Sequence, residues 1–430
     1  MLNLIGVIIA FIIIILLIRK KFNFGLSLIL GSAIVGIFSL AEVEPVEIPK
    51  AVSKAIIYDF DKQVFDFQTI ELAVLLTLIY ILAKCMQETG AIQKMIKSLR
   101  SIFYKGGTLG VIPAVYGLMP VPGGALFSAP LIEKEGEKFK LKQNQKNFLN
   151  VWFRHIWFPI FPVSSAMMLI ISSDFANINI YELIMANFPA FISFIIIGLV
   201  YLKFYVKKTP KTKSTPEKEY SGLIYLLPPV IPIIIYIILF SIFTIIGIEN
   251  LKDFQRSIFI AGVILSILSL YYLIKIDWKK YVETIKHSLS FNLAFAIIGI
   301  MVFRQMIEAS GTDKIIAEMI GCLPFHAIFI VIMVPLIMGL LTGYNLGAIA
   351  LSYALIVPFF EYTGLNIIGF ASLIFISSLV GYLISPIHLC NVVSSDYLKT
   401  DTTRMYKMYI PAVTTLLIIQ TIFVIIFYSS

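Results

Sequence analysis

The second half of the chain repeats the first, and this duplication constrains the fold more than any other feature. A shift of 222 positions in the 430-residue sequence superimposes matching residues. The coinciding residues are Pro113 with Pro335, Gly117 with Gly339, Leu118 with Leu340, and Ser172-Ser173-Asp174 with Ser394-Ser395-Asp396. The pattern predicts two structurally related halves.

The composition places both halves in a lipid bilayer. Hydrophobic residues make up 59% of the chain, charged residues 14%, and the mean hydropathy is +0.92. A water-soluble core could not hide this much apolar surface. The formal net charge of +9 comes from Lys and Arg residues in short connections between apolar runs. This placement favours membrane topology over a nucleic-acid partner.

Cysteine spacing and the amino terminus give two further expectations. Cys85, Cys322 and Cys390 are far apart, with no CxxC pair and no clustered histidines, so neither a disulfide framework nor a zinc site is predicted. The first apolar run, 2–18, lacks a basic start and a small-residue cleavage site. It is interpreted as a retained first helix.

Ten apolar runs approach the roughly 20 residues needed to cross hydrocarbon, five in each half. They occupy 2–18, 22–40, 68–87, 147–171, 183–205, 222–246, 257–275, 288–308, 367–395 and 408–428. The predicted fold is an all-α polytopic membrane protein with about 10 transmembrane helices. Residues 1–206 form the first repeat, 207–221 a polar cytoplasmic linker, and 222–430 the second repeat.

Between the third and fourth span of each half lies an apolar stretch that is poorly suited to crossing. In 108–132, four prolines and several glycines argue against a continuous helix. Two arms of roughly ten residues would reach only about halfway across the bilayer, which predicts a re-entrant hairpin. A second hairpin is predicted over 326–360, with its bend at 342–347.

An odd number of spans per repeat places the second copy in the membrane in the opposite sense to the first. If the amino terminus is outside, the connections predicted to face the cytoplasm hold 26 of the 34 Lys and Arg residues, and the opposite connections hold six. This bias supports an inverted repeat with both termini extracytoplasmic, an arrangement common in secondary transporters.

Irregular backbone at membrane depth requires protein or a water-filled cavity around it, so the two hairpin tips mark the predicted site. The first tip, 120–124, precedes a new helix whose free N–H groups and positive dipole end attract an anion. The second tip offers a hydroxyl, an amide and carbonyls, which suit a sodium ion or polar substrate groups. The substrate-binding residues predicted at the tips are Gly123, Gly124, Thr342, Gly343 and Asn345, and a sodium ion is expected near Pro122, Gly123, Asn345 and Gly347. Glycines that merely permit close helix packing are the alternative.

Proline interrupts the fourth span of each repeat, 147–171 and 367–395, and frees a backbone carbonyl there. We predict breaks that line a ligand site, with a simple kink as the alternative. The polar residues at these breaks are Ser164, Ser165, Ser385, His388 and Asn391.

Charged or titratable side chains within spans are costly and need a reason. Arg154 is expected either to bind an anionic substrate or to extend to the cytoplasmic surface. His388 could carry a proton or hydrogen-bond a carboxylate, and a satisfied buried histidine is the alternative. Arg304 and Glu308, four positions apart, are expected to pair with each other.

Three spans, a hairpin, a broken span and a final span, repeated in inverted sense, resemble the ion transporter superfamily. That group includes divalent-anion and citrate symporters, arsenite-pump-type antiporters and gluconate-type permeases. The segments GLMPVPGGALFSAPLI and SPIHLCNVVSSDYL are most similar to a prokaryotic family within it that is defined only as a domain of unknown function. Carboxylate carriers of the superfamily have Ser-Asn-Thr at each tip, whereas this chain has Pro122-Gly123-Gly124 and Tyr344-Asn345-Leu346.

The resemblance implies a homodimer in the cell membrane, in which a static scaffold supports a moving unit formed by the hairpins and broken spans. The expected function is secondary active transport of a small organic anion, coupled to Na⁺ or H⁺ and without another cofactor. Cation/proton antiport and a passive anion channel are the alternatives. Neither an HExxH motif nor a GK[ST] phosphate loop is present, so an enzyme is not expected.

Overall fold

The computed structural model describes residues 2–103, 106–118, 124–206, 218–247, 251–315 and 327–429. Within these ranges the chain is built almost entirely from α-helices. Nine helical segments of this described part are long and apolar enough to cross a membrane. The prediction of an all-α polytopic membrane protein is confirmed.

In its described residues, the first half contains ten helices and one small sheet. The helices are α1 (Leu2–Arg19), α2 (Phe24–Ser39), α3 (Glu47–Ile56), α4 (Gln68–Glu88), α5 (Ala91–Ile102), α6 (Thr108–Gly117), α7 (Ala125–Lys138), α8 (Gln143–Arg154), α9 (Ser165–Ile170) and α10 (Ile180–Tyr205). Strands β1 (Tyr58–Asp59) and β2 (Val64–Phe65) pair antiparallel, with Tyr58 opposite Phe65.

The second half contains nine further α-helices within the described residues, together with two 3₁₀ segments, Ser221–Leu226 and Val357–Thr363. The helices are α11 (Leu227–Ile246), α12 (Leu251–Ile274), α13 (Trp278–Ser288), α14 (Phe291–Ala309), α15 (Ala327–Thr342), α16 (Asn345–Ile356), α17 (Ile367–Ile384), α18 (Leu389–Leu398) and α19 (Thr402–Tyr428).

Helix boundaries in the two halves keep the spacing of the sequence repeat. Helix α14 begins 223 positions after α4, at Phe291 and Gln68 respectively. Helix α19 begins at Thr402, 222 positions after Ile180, where α10 begins. The bent segments also correspond, because α6 and α15 both contain an internal proline, Pro113 and Pro335.

The interrupted spans lie at the centre of the molecule. Helix α8 ends at Arg154 and α9 starts at Ser165, while α17 ends at Ile384 and α18 starts at Leu389. The most apolar window across α17 and α18 is 78% buried, whereas that of α11 is only 17% buried. A helix that is apolar on all sides and buried by protein belongs to the core, and one exposed on most sides faces lipid.

Glycines bring the arms of the bent segments against the interrupted spans. A Cβ atom at Gly117 of α6 would collide with the carbonyl of Arg154, and one at Gly339 of α15 would collide with the carbonyl of Ser378. From the opposite side, a Cβ at Gly381 of α17 would collide with the carbonyl of Leu336. Helices approach this closely only where small residues line their contact.

In the second predicted hairpin segment, the helix break between α15 and α16 falls within the bend expected at 342–347. Gly343 has a φ of +58°, in the left-handed region that glycine adopts without strain, and α16 begins two residues later. The described part of this segment starts at Ala327, so position 326 lies outside it. In the first predicted hairpin segment, α6 ends at Gly117 and α7 starts at Ala125. Of the predicted tip 120–124, only Gly124 lies within the described residues.

One expectation from the sequence needs correction. Arg304 does not pair with Glu308: its Nη1 lies 3.3 Å from Asp174 Oδ1, and Glu308 instead lies 3.8 Å from Lys54 Nζ. The contact to Asp174 joins the two halves, whereas a pair within one helix would not.

The described end of the predicted linker is tied to the first half by backbone hydrogen bonds, while Lys218, Tyr220 and Ser221 within it are exposed. The backbone N–H of Glu219 donates to Ser101 Oγ at 2.8 Å, and that of Gly222 donates to Ser98 Oγ at 2.8 Å. Residues 207–217 of the linker lie outside the described part.

Candidate functional site

A cavity of about 220 Å³ lies where the interrupted spans of both halves meet the second bend. Its wall is largely apolar, with a few polar groups, which is typical of small-molecule sites. The described lining residues are Gly117, Leu118, Arg154, His155, Trp157, Phe158, Phe161, Val163, Ser164, Ser165, Ala166, Gly343, Tyr344, Asn345, Leu346, Tyr382, Leu389 and Cys390. A cavity of this size suits a small solute.

The amino termini of two helices lie at this cavity. Helix α16 starts at Asn345, and α18 starts at Leu389. Both residues line the wall, together with Cys390, the second residue of α18. The first N–H groups of a helix have no partner within the helix, and they carry partial positive charge. Two such helix ends on one small cavity favour an anion over a cation.

Arg154 contributes the one cationic side chain among the described lining residues. It is the last residue of α8 and only 4% exposed, and its Nη1 donates to the Tyr116 carbonyl at 2.8 Å. The guanidinium packs on Gly124, where any Cβ atom would collide with it. The Arg154 side chain therefore packs closely against the first tip. A buried guanidinium is also a strong partner for a carboxylate.

Asn345 supplies a neutral polar group on the opposite wall. Its Oδ1 accepts a hydrogen bond from Ser378 Oγ at 3.1 Å, while its buried Nδ2 has no partner among the described residues. A buried amide donor left without a partner costs free energy of about 1–3 kcal/mol. The amide is therefore suited to donate to a bound ligand.

Other predicted tip residues play structural parts in this conformation. Thr342 Oγ1 donates to the Met338 carbonyl at 2.7 Å and does not line the cavity. A Cβ atom at Gly347 would lie 2.7 Å from Phe24 Cζ, so this glycine allows contact with α2. Pro122 and Gly123, predicted for substrate or sodium, lie outside the described residues.

The breaks of the two spans differ in what they offer. Ser164 and Ser165 line the cavity, and Ser164 Oγ caps α9 by accepting from the Met167 N–H at 3.3 Å. Ser385, His388 and Asn391 lie behind the wall and are fully or almost fully buried. Ser385 Oγ donates to the Leu340 carbonyl, and Asn391 Nδ2 donates to the Leu383 carbonyl, both at 2.7 Å.

The lining residues absent from the set predicted from the sequence include His155, Tyr382 and Cys390. His155 follows Arg154 directly, and Cys390 lies two positions after His388, so proximity in sequence was the available signal. The ring centroids of His155 and His388 are 4.9 Å apart, and those of Tyr382 and His388 are 3.9 Å apart. Both halves thus contribute to one aromatic and imidazole cluster beside the cavity.

The sequence profile of one protein family matches residues 3–426, almost the whole chain. Its description is "Protein of unknown function (DUF401)". The chain belongs to this family. A search of curated proteins finds no match.

Proposed function

We propose that this DUF401 protein is a secondary active transporter of a small organic anion, driven by a Na⁺ or H⁺ gradient. The observation that carries the proposal is the central cavity, in which Arg154 and the amino termini of α16 and α18 surround a space of about 220 Å³. A positive site of this size, enclosed by interrupted helices, is what a membrane carrier for a small carboxylate requires.

Cation/proton antiport is the second candidate. It would require a carboxylate at the centre of the site, and no Asp or Glu occurs among the described residues that line the cavity. The buried acids of the described part, Asp59 and Glu135, lie elsewhere. The cavity therefore favours the anion proposal.

The transport cycle we propose follows the ion transporter superfamily that the sequence resembles. Two inverted repeats would each provide a hairpin and a broken span, and these would move together relative to a dimeric scaffold. The matching bounds of α4 with α14 and of α10 with α19 support the duplication. Both termini would then be extracytoplasmic, because charge bias and span count agree.

The anion proposal is tested in two steps. Purified protein is first screened by thermal shift against carboxylates, sugar acids and oxyanions, with and without sodium, because a ligand that binds only the folded state raises the unfolding temperature. A stabilising anion is then offered, as radiolabelled solute, to proteoliposomes with imposed Na⁺ or proton gradients. We expect saturable accumulation that follows one gradient. Uptake that only equilibrates the solute would indicate a channel, and the absence of any anion response would reject the proposal.

The inverted arrangement has its own test. Cysteines placed singly at Glu137 on α7 and Glu361 in the segment Val357–Thr363, in a background without native cysteines, should be labelled from opposite sides of the membrane. Both positions are exposed, whereas the neighbouring Glu135 is buried in ion pairs with Arg100 and Lys138. Labelling of both from the same side would exclude the inverted repeat.

A further inference from the structure

We propose that His155, His388 and Cys390 form a binding site for a thiophilic transition-metal ion, with Zn²⁺ as the representative. The three side chains come from the ends of α8 and α18 and are 0%, 0% and 5% exposed. Their ligand atoms all lie within 4.8 Å of one another. The two imidazoles and one thiol belong to different halves of the chain, so only folding assembles the set.

The hydrogen bonds of His155 are those of a metal-ligating histidine. Its Nδ1 lies 2.6 Å from the Val151 carbonyl, so Nδ1–H is the donor and Nε2 keeps its lone pair. The Tyr382 hydroxyl is 3.4 Å from that Nε2 and also neighbours the Cys390 thiol. An outer hydrogen bond that fixes the imidazole tautomer is a regular feature of metal sites.

His388, unlike His155, has no outer hydrogen bond that fixes its ring in the part of the chain that the structure describes, and this indicates a ligand for its nitrogens. Neither of its ring nitrogens has a hydrogen-bond partner of ordinary geometry among the described residues, although the side chain is fully buried. The nearby Leu383 carbonyl already accepts from Asn391 Nδ2. Buried polar groups in native proteins are usually paired, so an imidazole of this kind is accounted for by a bound ion.

The donor set selects the class of metal. Imidazole nitrogen and thiolate sulfur suit Zn²⁺ and Cu⁺, whereas Na⁺, Mg²⁺ and Ca²⁺ prefer oxygen ligands. Zinc–nitrogen bonds of about 2.0–2.1 Å and zinc–sulfur bonds of about 2.3 Å place the ligand atoms roughly 3.5 Å apart. The ligands would therefore need to close by about 1 Å, which the unbonded His388 ring permits.

Binding would break the Cys390 S–H bond and form a metal–sulfur bond, and the proton would leave to water in the cavity. Three protein ligands leave one position of a tetrahedral zinc ion for water or for a ligand oxygen. His155 and Cys390 line the cavity, so that position is on the side of the proposed anion site. The metal site itself does not depend on the transport proposal.

The test uses the full-length chain, purified without a histidine tag, stripped with chelator and then titrated with Zn²⁺ or Co²⁺. We expect one zinc per chain and, with cobalt, a near-ultraviolet thiolate-to-cobalt absorption band. The control variant C85S/C322S keeps Cys390 as the sole thiol and should retain both signals. Cys85 is a buried thiol on α4 and lies beside Tyr281 and Ser288 of α13. Cys322 lies outside the described residues.

C390S in that sole-thiol background should abolish the cobalt band. His388→Ala should weaken zinc binding by about a hundredfold or more, beyond the 10- to 100-fold typical of outer-shell partners. If His388→Ala fails to fold, the cobalt spectrum of the sole-thiol protein decides alone. Absence of stoichiometric binding in the unmodified protein, or a band that persists in C390S, would overturn the proposal.

Discussion

The two interrupted spans occupy equivalent places in the duplicated sequence but differ in chemistry. In the first, ten residues separate α8 from α9, and the break places Arg154, Ser164 and Ser165 on the cavity wall. In the second, four residues separate α17 from α18, and the polar groups of the break lie buried behind the wall. The first half thus supplies charge to the site, whereas the second supplies neutral groups and helix termini.

This comparison teaches how two similar segments build a single asymmetric site. The close glycine contacts of the two halves are alike, since Gly117 and Gly339 both face the backbone of an interrupted span. The side chains at the breaks differ. An asymmetric ligand with one charged end fits a site with one charged wall, which leads to four predictions ordered by their expected size.

Removal of the charge should have the largest effect. Arg154→Ala should weaken anion binding by about 10- to 100-fold, because hydrogen bonds to charged groups contribute about 1.5–3 kcal/mol. Arg154→Lys should be intermediate, since lysine keeps the charge but lacks the two-pronged geometry. Isothermal titration with the anion found by the screen measures both. Arg404→Ala, which removes an equal charge from an exposed side chain paired with Asp401, is the matched control. Equal affinity in the Arg154 and Arg404 variants would show that the first break is not the charged wall.

Displacement of the charge should have the next largest effect. Gly124→Ala introduces a Cβ that collides with the Arg154 guanidinium, so the charge is retained but moved. We expect affinity to fall by about tenfold, the equivalent of one hydrogen bond. Gly36→Ala is the control, because its new Cβ would meet only side-chain atoms, Met306 Sδ at 3.3 Å and Ile48 Cγ2 at 3.4 Å, and no charged group. An unchanged affinity in Gly124→Ala would mean that the tip and Arg154 act independently.

On the neutral wall, Asn345→Ala removes an amide whose Nδ2 is buried and unpartnered within the described part. The expected loss in affinity is about three- to tenfold, below that of Arg154, because the amide is uncharged. Asn345→Asp should be worse than Asn345→Ala, since the carboxylate repels an anion. Asn292→Ala, at an exposed position, serves as the control. If the aspartate variant binds as well as the wild type, the site does not hold an anion.

The smallest effect is expected at Ser164. Loss of its hydroxyl removes the cap of α9, which typically costs about 1 kcal/mol. Ser164→Ala should therefore lower the unfolding temperature slightly and change anion affinity by less than about tenfold. Differential scanning fluorimetry measures the unfolding temperature, and isothermal titration measures the anion affinity. Ser241→Ala, at an exposed position, is the control. A loss as large as that of Arg154→Ala would make Ser164 a direct ligand.

Much of the architecture could be predicted from the sequence, because apolar runs and proline and glycine positions act locally. The bend at Gly343 follows from glycine's access to positive φ, and the break after Arg154 follows from Pro159 and Pro162. The pairing of Arg304 could not be predicted in this way. Its partner Asp174 lies 130 positions away, so the local spacing of four residues to Glu308 was misleading.

The residues around the cavity were even harder to predict, because they are distant from one another in the sequence. Arg154 and Asn345 could be selected as unusual residues at predicted breaks, but the distance between them could not be predicted from local patterns. His155 and Cys390 lie 235 positions apart and match no metal-binding spacing, so the sequence predicted no zinc site. Only the packing of α8 against α18 brings them together.

The glycine contact between α15 and α17 has a mechanical consequence. Carbonyl groups of each helix occupy the space where a side chain of the other would be, at Gly339 and at Gly381. Neither helix can slide along the other without steric collision, so the pair behaves as one stiff plate. A rearrangement that preserves these contacts would move the two helices together, and the positions left for the backbone to bend are their ends at Gly343 and Ser385.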